Sequence, residues 1–497
     1  MPFVNRRFLT FGLVLLAGCA RFQPQPISPA KSAVNLEGRS LTNSALKVFL
    51  EKNLHREFAN WPAEKWDFEM LTFAAFYYHP SLDVARAQWH AAQAGVKTAG
   101  GLPNPTLTVT PGYDVSALSG VNPWFPGVDL DLPIETAGKR GKRISAAGHL
   151  SESARLNIAT AAWQVRSGVR SSLLNYIAAQ RRAALLQKQV AAQEQIVKLL
   201  GQKAEVGDIA SSELTPSRVA LSKARLDLAD AQQQFAEARV NLAEAIGVSV
   251  NALGVPPSGG NTNPVESPEG GTPNIAFDFD REPEGVKNLT SMEIQQQALL
   301  SRTDILSALA EYAAAEDALR LEIAKQYPDV HLNPGYQFDQ GEDKWSLGIG
   351  VDLPVFNRNQ GPIAEAKARR EESAARFNAL QTKVLAEIER ATAVFRVSEK
   401  NSTALQSLSA DQEKQRNSVE AQFKAGAIER LDFLNAELES ATSQLVLLDG
   451  QTKLQQAIGA LEDAVQRPLT GDILSAEKAP ERSEIQTKSP TNKENKK

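Results

Sequence analysis

Residues 139–204 read KRGKRISAAGHLSESARLNIATAAWQVRSGVRSSLLNYIAAQRRAALLQKQVAAQEQIVKLLGQKA, and this stretch decides the fold. Its apolar residues Ile144, Ala147, Ala154, Ile158, Ala161, Val165, Val169, Tyr176, Ala179, Ala183, Leu186, Val190, Val197 and Leu200 recur at steps of three and four or their sums. That spacing predicts a helix with a continuous coiled-coil stripe. At about 1.5 Å per residue the rod reaches on the order of 100 Å. Few compact domains hold such a rod.

Working outward, the rod breaks at Val206-Gly207-Asp208 and a returning helix is expected from near Thr215-Pro216, with Thr as cap and Pro in the first helical position, to about Ile246. Upstream lie a polar tether (Phe22 to Lys31), a short helical pattern (Leu41 to Asn53) and a helix from Asp67 to Ala99, stopped by Leu102-Pro103-Asn104-Pro105. The same order then recurs: a helix from Ser291 to Lys325, a rod from Gly361 to Lys424, a break at Gly426, and a return to Val465. Gly207 and Gly426 stand 219 residues apart, as do Ala245 and Ala464. Asp131-Leu132-Pro133 answers Asp352-Leu353-Pro354, and Pro111-Gly112-Tyr113 answers Pro334-Gly335-Tyr336, which points to internal duplication. The expected layout is a signal at 1–18, a tether and short helix at 19–66, a first repeat at 67–250, a Pro/Gly-rich linker at 251–285, a second repeat at 286–468 and a polar, disordered tail at 469–497.

Each repeat also carries a predicted β-hairpin, at 106–133 and 330–354. Val128, Leu130 and Leu132 alternate with Asp129 and Asp131; Trp345, Leu347, Ile349, Val351 and Leu353 alternate with Ser346, Gly348, Gly350 and Asp352. Val330, Leu332, Tyr336 and Phe338 oppose His331, Asn333, Gln337 and Asp339, and Leu107, Val109 and Tyr113 oppose Thr106, Thr108 and Thr110 more weakly. A strand between lipid and a polar lumen alternates in this way, and nine to eleven tilted residues cross a bilayer. Trp124 and Trp345 fall at the loop ends, where interfacial aromatic belts lie. Two hairpins of an ordinary soluble sheet would alternate too; the long rods favour the membrane wall. Four strands in lipid leave edge backbone groups unpaired at several kcal/mol each, so several copies must share one barrel. Two copies give eight strands and three give twelve, and the alternation does not choose between them.

The amino terminus carries Arg6 and Arg7, an apolar run from Phe8 to Leu16 too short to span a bilayer, and Leu16-Ala17-Gly18-Cys19. This pattern is an export signal, and its last four residues resemble the bacterial lipobox. That resemblance implies acylation of Cys19, with Ala20 in place of an inner-membrane retention aspartate. Cys19 is the only cysteine, which excludes an intramolecular disulfide framework and any CxxC motif. With 54 basic against 58 acidic residues, nothing favours nucleic acid.

His79-Pro80-Ser81-Leu82, Leu102-Pro103-Asn104-Pro105, Asp131-Leu132-Pro133-Ile134, Gly138-Lys139-Arg140 and the duplicated rods with their glycine turns together resemble the TolC family of outer-membrane efflux proteins, over nearly all of the mature chain. The resemblance implies a mainly α fold with a small β part: long antiparallel coiled-coil helices forming a periplasmic tunnel, and a twelve-stranded barrel built by a homotrimer in outer-membrane lipid. It implies two partners, a periplasmic adaptor and an inner-membrane RND-type pump. Residues 132–141 look most like the heavy-metal-export subgroup. By the same resemblance the adaptor meets the tips Val206-Gly207-Asp208 and Ala425-Gly426-Ala427, the second departing from the usual Val-Gly. Asp432 matches a family gate acid, Asn435 stands where a second acid is usual, and Glu213 is the first-repeat counterpart of Asp432. Acids so close to a helix start also favour the helix N-terminus on their own account.

The five histidines, His55, His79, His90, His149 and His331, show no HxxH or HxxxH spacing, so no metal site is expected, and no cofactor. His79, before Pro80, reads as a turn residue, and Glu371-Glu372 as a solvated rod face. No P-loop, GxSxG or HExxH motif is present, so no enzyme is expected. Asp129, Asp131 and Asp352, multiplied by symmetry, would form a cation-attracting collar or simply face a polar lumen. A drug or secretion duct of the same family and a pore-free periplasmic coiled-coil scaffold are the competing readings; the four strands argue against the scaffold.

Overall fold

Both rods form as single helices. The computed structural model describes residues 22–253, 274–277 and 291–469. In chain order the elements are α1 (Pro29–Glu37), α2 (Ser44–Leu54), β1 (Lys65–Trp66), α3 (Phe68–Tyr78), α4 (Pro80–Ala99), β2 (Thr106–Thr110), β3 (Gly127–Ile134), the rod α5 (Lys139–Glu205) and its return α6 (Ser211–Ile246). After β4 (Asn274–Ile275) come α7 (Ser291–Ser301), α8 (Thr303–Ala324), β5 (Val330–Asp339), β6 (Glu342–Val351), the rod α9 (Gln360–Lys424) and its return α10 (Arg430–Val465). The chain is mainly helical, and the order helix pair, hairpin, rod, return occurs twice. Cys19 and the signal lie outside the described residues, as does the tail beyond residue 469.

Several boundaries differ from the sequence expectation, each for a local reason. The helix expected over Asp67 to Ala99 is two helices, because Pro80 has no N–H to continue α3 and instead opens α4. His79 caps α4, with Nδ1 accepting from the Ser81 N–H, so it is a cap rather than a plain turn. The helix expected from Ser291 likewise breaks at Arg302. Pro29, inside the segment read as a tether, occupies the first turn of α1 behind the Ser28 cap. The return helix α6 starts at Ser211, one turn before Thr215, and Pro216 lies within it. Part of the expected linker is a strand, since β4 pairs in parallel with β1.

Each rod has two sets of neighbours. Along α5 the side chains of α4 and α8 pack at the hairpin end, and those of α6 and α10 at the tip end; α9 packs against α8 and α10. Two apolar cores sit at mid-rod. The larger gathers Leu46 and Leu50 of α2, Trp66, Met70, Leu71 and Phe73 of the α3 region, Val169, Leu173 and Leu174 of α5, and Leu242 and Ile246 of α6. The smaller joins Ile305, Val384, Ile388, Phe395, Leu454, Ile458 and Leu461 in the second half. Burial of such side chains, at roughly 1.5–3 kcal/mol each, fixes where the returning helices end. Arg39 then donates to the carbonyls of Tyr78 and Gly247 at 2.8 and 2.7 Å, and Arg302 does the corresponding work in the second half by donating to Ala464 at 2.7 Å.

Candidate functional site

The two hairpins join into one antiparallel sheet of order β2-β3-β5-β6. Of the runs expected at nine to eleven residues, β5 and β6 have ten each, whereas β2 has only five and β3 eight. β6 begins at Glu342 and ends at Val351, so Asp352 lies just past the strand instead of within it. Across the sheet, Val109, Val128, Tyr336 and Trp345 form one rung, and Leu132, Leu332 and Ile349 another. This apolar face is open to solvent in the single chain: Trp345 is 80%, Leu347 71% and Ile349 69% exposed. Tyr113 and Trp124 pair at the loop end of the first hairpin, with rings 4.9 Å apart, as do Tyr336 and Trp345 in the second.

The opposite face is polar. Thr108, Asp129, Gly335 and Ser346 make one rung of it. Gly335 supplies space there, because a Cβ added to it would lie 2.4 Å from Asp129 Oδ1 and 2.6 Å from Ser346 Oγ. Between β3 and β5 one register runs throughout, but no pairing is made at Leu130 and Asp131, opposite Pro334 and Asn333, where Pro334 has no N–H for the ladder. On the same face Asp131 reaches diagonally to His331, whose Nδ1 is 2.9 Å from Oδ1. Sequence spacing could not find this pair, since the two residues are 200 positions apart.

Below the sheet, residues 135–143 lock the first hairpin to the second half. Lys139, buried, donates to the Tyr327 carbonyl at 2.7 Å and to Asp329 Oδ1 at 2.8 Å, and Asp329 also accepts from the Thr136 N–H. Arg143 pairs with Glu135 and donates to the carbonyls of Ala99 and Gly101, while Arg140 donates to that of Gly100, which satisfies the end of α4. The Gly-Lys-Arg signature therefore ties the start of the rod to the second half through Lys139 and to the end of α4 through Arg140.

At mid-rod, a charged cluster joins the halves. Arg166 Nη1 is 3.0 Å from Glu462 Oε2, both side chains being almost fully buried, and Arg170 lies 3.6 Å from the same oxygen. Trp163 and Ser167 donate to Asp463. Burial holds the Asp463 carboxyl above its ordinary value, against these hydrogen bonds and the nearby Arg166 charge. Burial likewise lowers Arg170, against the pull of Glu462.

Both tips turn in the same way. Gly207 and Gly426 have φ of +85° and +71°, a conformation that side chains with a Cβ rarely adopt. The following N–H groups, of Asp208 and Ala427, reach back to the carbonyls of Lys203 and Gln422 at 2.9 Å each. The change from Val206 to Ala425 leaves this turn intact. Phe423 stacks on Phe433 at 5.3 Å across the second turn. Glu213 accepts from the Ala210 N–H at 3.3 Å, the bond expected of an acid that favours a helix start, whereas Asp432 and Asn435 are exposed one turn apart on α10. Lys203 Nζ meets Glu429 Oε2 at 2.7 Å, so the tip of one half is tied to that of the other; this hydrogen bond raises the lysine and lowers the carboxylate. Neither residue is singled out by spacing alone.

No group of three or more His, Cys, Asp or Glu side chains capable of holding a metal occurs among the described residues, and no described helix is long and apolar enough to cross a membrane. Comparison with known proteins matches the model of the family described as outer membrane efflux protein at residues 75–248 and again at 294–465. The chain is 25% identical over 361 residues to the cobalt-zinc-cadmium resistance protein CzcC of Cupriavidus metallidurans, covering 72% of this chain and 79% of that one. In fold it is similar to the CmeC outer membrane channel of Campylobacter jejuni, at TM-score 0.65 and 15% identity over 84% of this chain and 90% of that one. A CusC structure superposes at TM-score 0.60 and 19% identity, over 82% of this chain and 95% of the other. With two matched segments that coincide with the two helix, hairpin and rod units, this chain belongs to the outer membrane efflux protein family.

Proposed function

We propose that three copies of this chain close a twelve-stranded barrel in the outer membrane and a helical tunnel below it, forming a passive exit duct without catalytic chemistry. The observation that carries this reading is the unfinished sheet. β2 and β6 are its edges, their backbone groups need partners in lipid, and the apolar face beside them is uncovered. Pairing β6 of one copy with β2 of the next satisfies both edges, and three copies give twelve strands, within the range of such barrels. The twice-matched family model supports reading the chain as an internal duplication, so the trimer carries six similar units.

In this reading Cys19 is acylated and anchors the protein to outer-membrane lipid. The tips Val206, Gly207, Asp208, Ala425, Gly426 and Ala427 meet a periplasmic adaptor, and an RND-type pump in the inner membrane supplies the energy. Asp432 and Asn435, with the first-repeat counterpart Glu213, border the tip constriction. Likeness to a cobalt-zinc-cadmium resistance protein supports heavy-metal cations as the exported substrate.

Size measurement and planar-bilayer recording of the detergent-extracted protein test the duct, with a trimer and discrete conductance steps expected. A stable monomer that never inserts would sink it. Cells lacking the chain are expected to grow poorly in zinc, cobalt or cadmium; equal tolerance, with no redundant duct, would remove the metal assignment and leave the channel standing.

A further inference from the structure

The Asp131–His331 pair has chemistry that a polar lumen does not require. A carboxylate only accepts hydrogen bonds, so at 2.9 Å from Asp131 Oδ1 the neutral imidazole must donate through Nδ1. Its Nε2 lone pair is then left over, and Nε2 makes no hydrogen bond among the described residues. A histidine oriented by a carboxylate behind it, with its other nitrogen free, is the arrangement by which proteins present imidazole to a metal ion.

Space is kept around the ring. Gly350 pairs with His331 and Gly348 with Asn333 on the neighbouring strand, so neither partner position carries a side chain beside these two residues. A Cβ at Gly350 would stand 3.5 Å from both His331 Cβ and Asn333 Nδ2. In the register of β3 and β5, Asp131 stands opposite Asn333, so His331 is its diagonal neighbour on the same face. Imidazole ring, orienting carboxylate and glycine neighbours thus coincide on the polar face, with Asp131 one rung and His331 two rungs from Asp129.

We propose that His331, held by Asp131, is a transient binding point for borderline transition-metal cations such as Zn²⁺ inside the barrel, an inference that rests on the reading of this face as the wall of a passage. One imidazole per copy with a carboxylate behind it leaves most of the ion's shell to water. Such a site captures weakly and releases quickly, as conduction requires: binding must be good enough to enter and poor enough to leave. Imidazole also discriminates by ligand type, since Mg²⁺ and Ca²⁺ prefer oxygen ligands and Zn²⁺, Ni²⁺ and Cu²⁺ accept nitrogen.

The full-length protein in planar bilayers, bathed in KCl, tests this with ZnCl₂ and MgCl₂ as probes. Zn²⁺ is expected to reduce or interrupt the current at concentrations where Mg²⁺ does not. His331→Gln, which changes no carboxylate, should raise the half-blocking Zn²⁺ concentration about tenfold or more at unchanged open conductance, and Asp131→Asn should raise it about 10-fold by loosening the ring. Equal Zn²⁺ sensitivity in the parent and His331→Gln, or equal block by Mg²⁺, would overturn the site while leaving the duct intact. If His331→Gln does not assemble, His331→Asn decides by the same criterion, since it too changes no carboxylate. Absence of any conductance from inserted protein would instead remove the passage, and this site with it.

Discussion

Lys203, in the last turn of the first rod, and Glu429, the residue capping the last helix, lie 2.7 Å apart and tie the two tips of one chain together. The pair is exposed, so its value depends on charge state and salt. Arg430, next to Glu429, adds a second tie by donating to Gln195 Oε1 at 2.8 Å.

Opening of the tip should therefore depend on acid. Glu429 is held below its ordinary 4.5, so its contribution is present above that value and is lost as pH falls through the lowered one. Lys203 is held above its ordinary 10.5, so its part is present below that value and is lost only as pH rises through the raised one. The tie is complete across neutral pH and fails in acid. Glu429→Gln should raise the frequency of open-channel events about two- to fivefold at pH 7, and should blunt the response to acid expected of the parent; single-channel recording from pH 7 down through the carboxylate range, to about pH 3, checks both.

At mid-rod the buried cluster gives a stability prediction. Arg166→Met leaves the buried Glu462 with Arg170 at 3.6 Å as its remaining cation, beside the Leu469 N–H that donates to it, so unfolding should become easier by about 3 kcal/mol. Arg166→Met combined with Glu462→Leu should recover most of that loss. Denaturant titration of the detergent-extracted protein, followed by circular dichroism, distinguishes the two.

Gly247 and Gly141 should respond in opposite senses to the same change. Gly247 has φ +82°, and a Cβ there would lie 3.1 Å from His79 Cα and the Tyr78 carbonyl oxygen, so Gly247→Ala should cost about 1–3 kcal/mol. Gly141 lies inside α5 with nothing within 4 Å of an added Cβ, so Gly141→Ala should stabilise by up to about 1 kcal/mol. Thermal melts of the two variants provide the comparison.

Asp129, Asp131 and Asp352 bear on ion choice. Replacing all three with Asn should lower cation over anion selectivity, measured as a shift of the reversal potential in a KCl gradient. Because Asp352 lies past the strand end, Asp129→Asn should account for more of the shift than Asp352→Asn. An unchanged reversal potential in the triple variant would remove the collar.

Much of this molecule is legible in one dimension because its order is local. The rod expected over 139–204 forms over Lys139–Glu205, and the second over Gln360–Lys424, since an apolar stripe repeated at helical spacing needs no knowledge of its partner. The glycine turns are equally readable, because φ near +80° is demanded by a single residue. Proline was less reliable as a signal. Pro80 and Pro29 open helices, as their fixed φ allows, but Pro216 sits inside α6, where neighbouring packing outweighs one missing bond.

The amino-acid order by itself determined the rods, the turns, the twice-used plan and the two-faced strands, all consequences of periodicity within a segment. Tertiary structure alone decided that both hairpins share one sheet, that β2 and β6 are left as its edges, and that Asp131 meets His331 and Lys203 meets Glu429. These pairings join residues about 200 positions apart, and contact at that distance is chosen by how whole helices and strands pack, which no local pattern encodes.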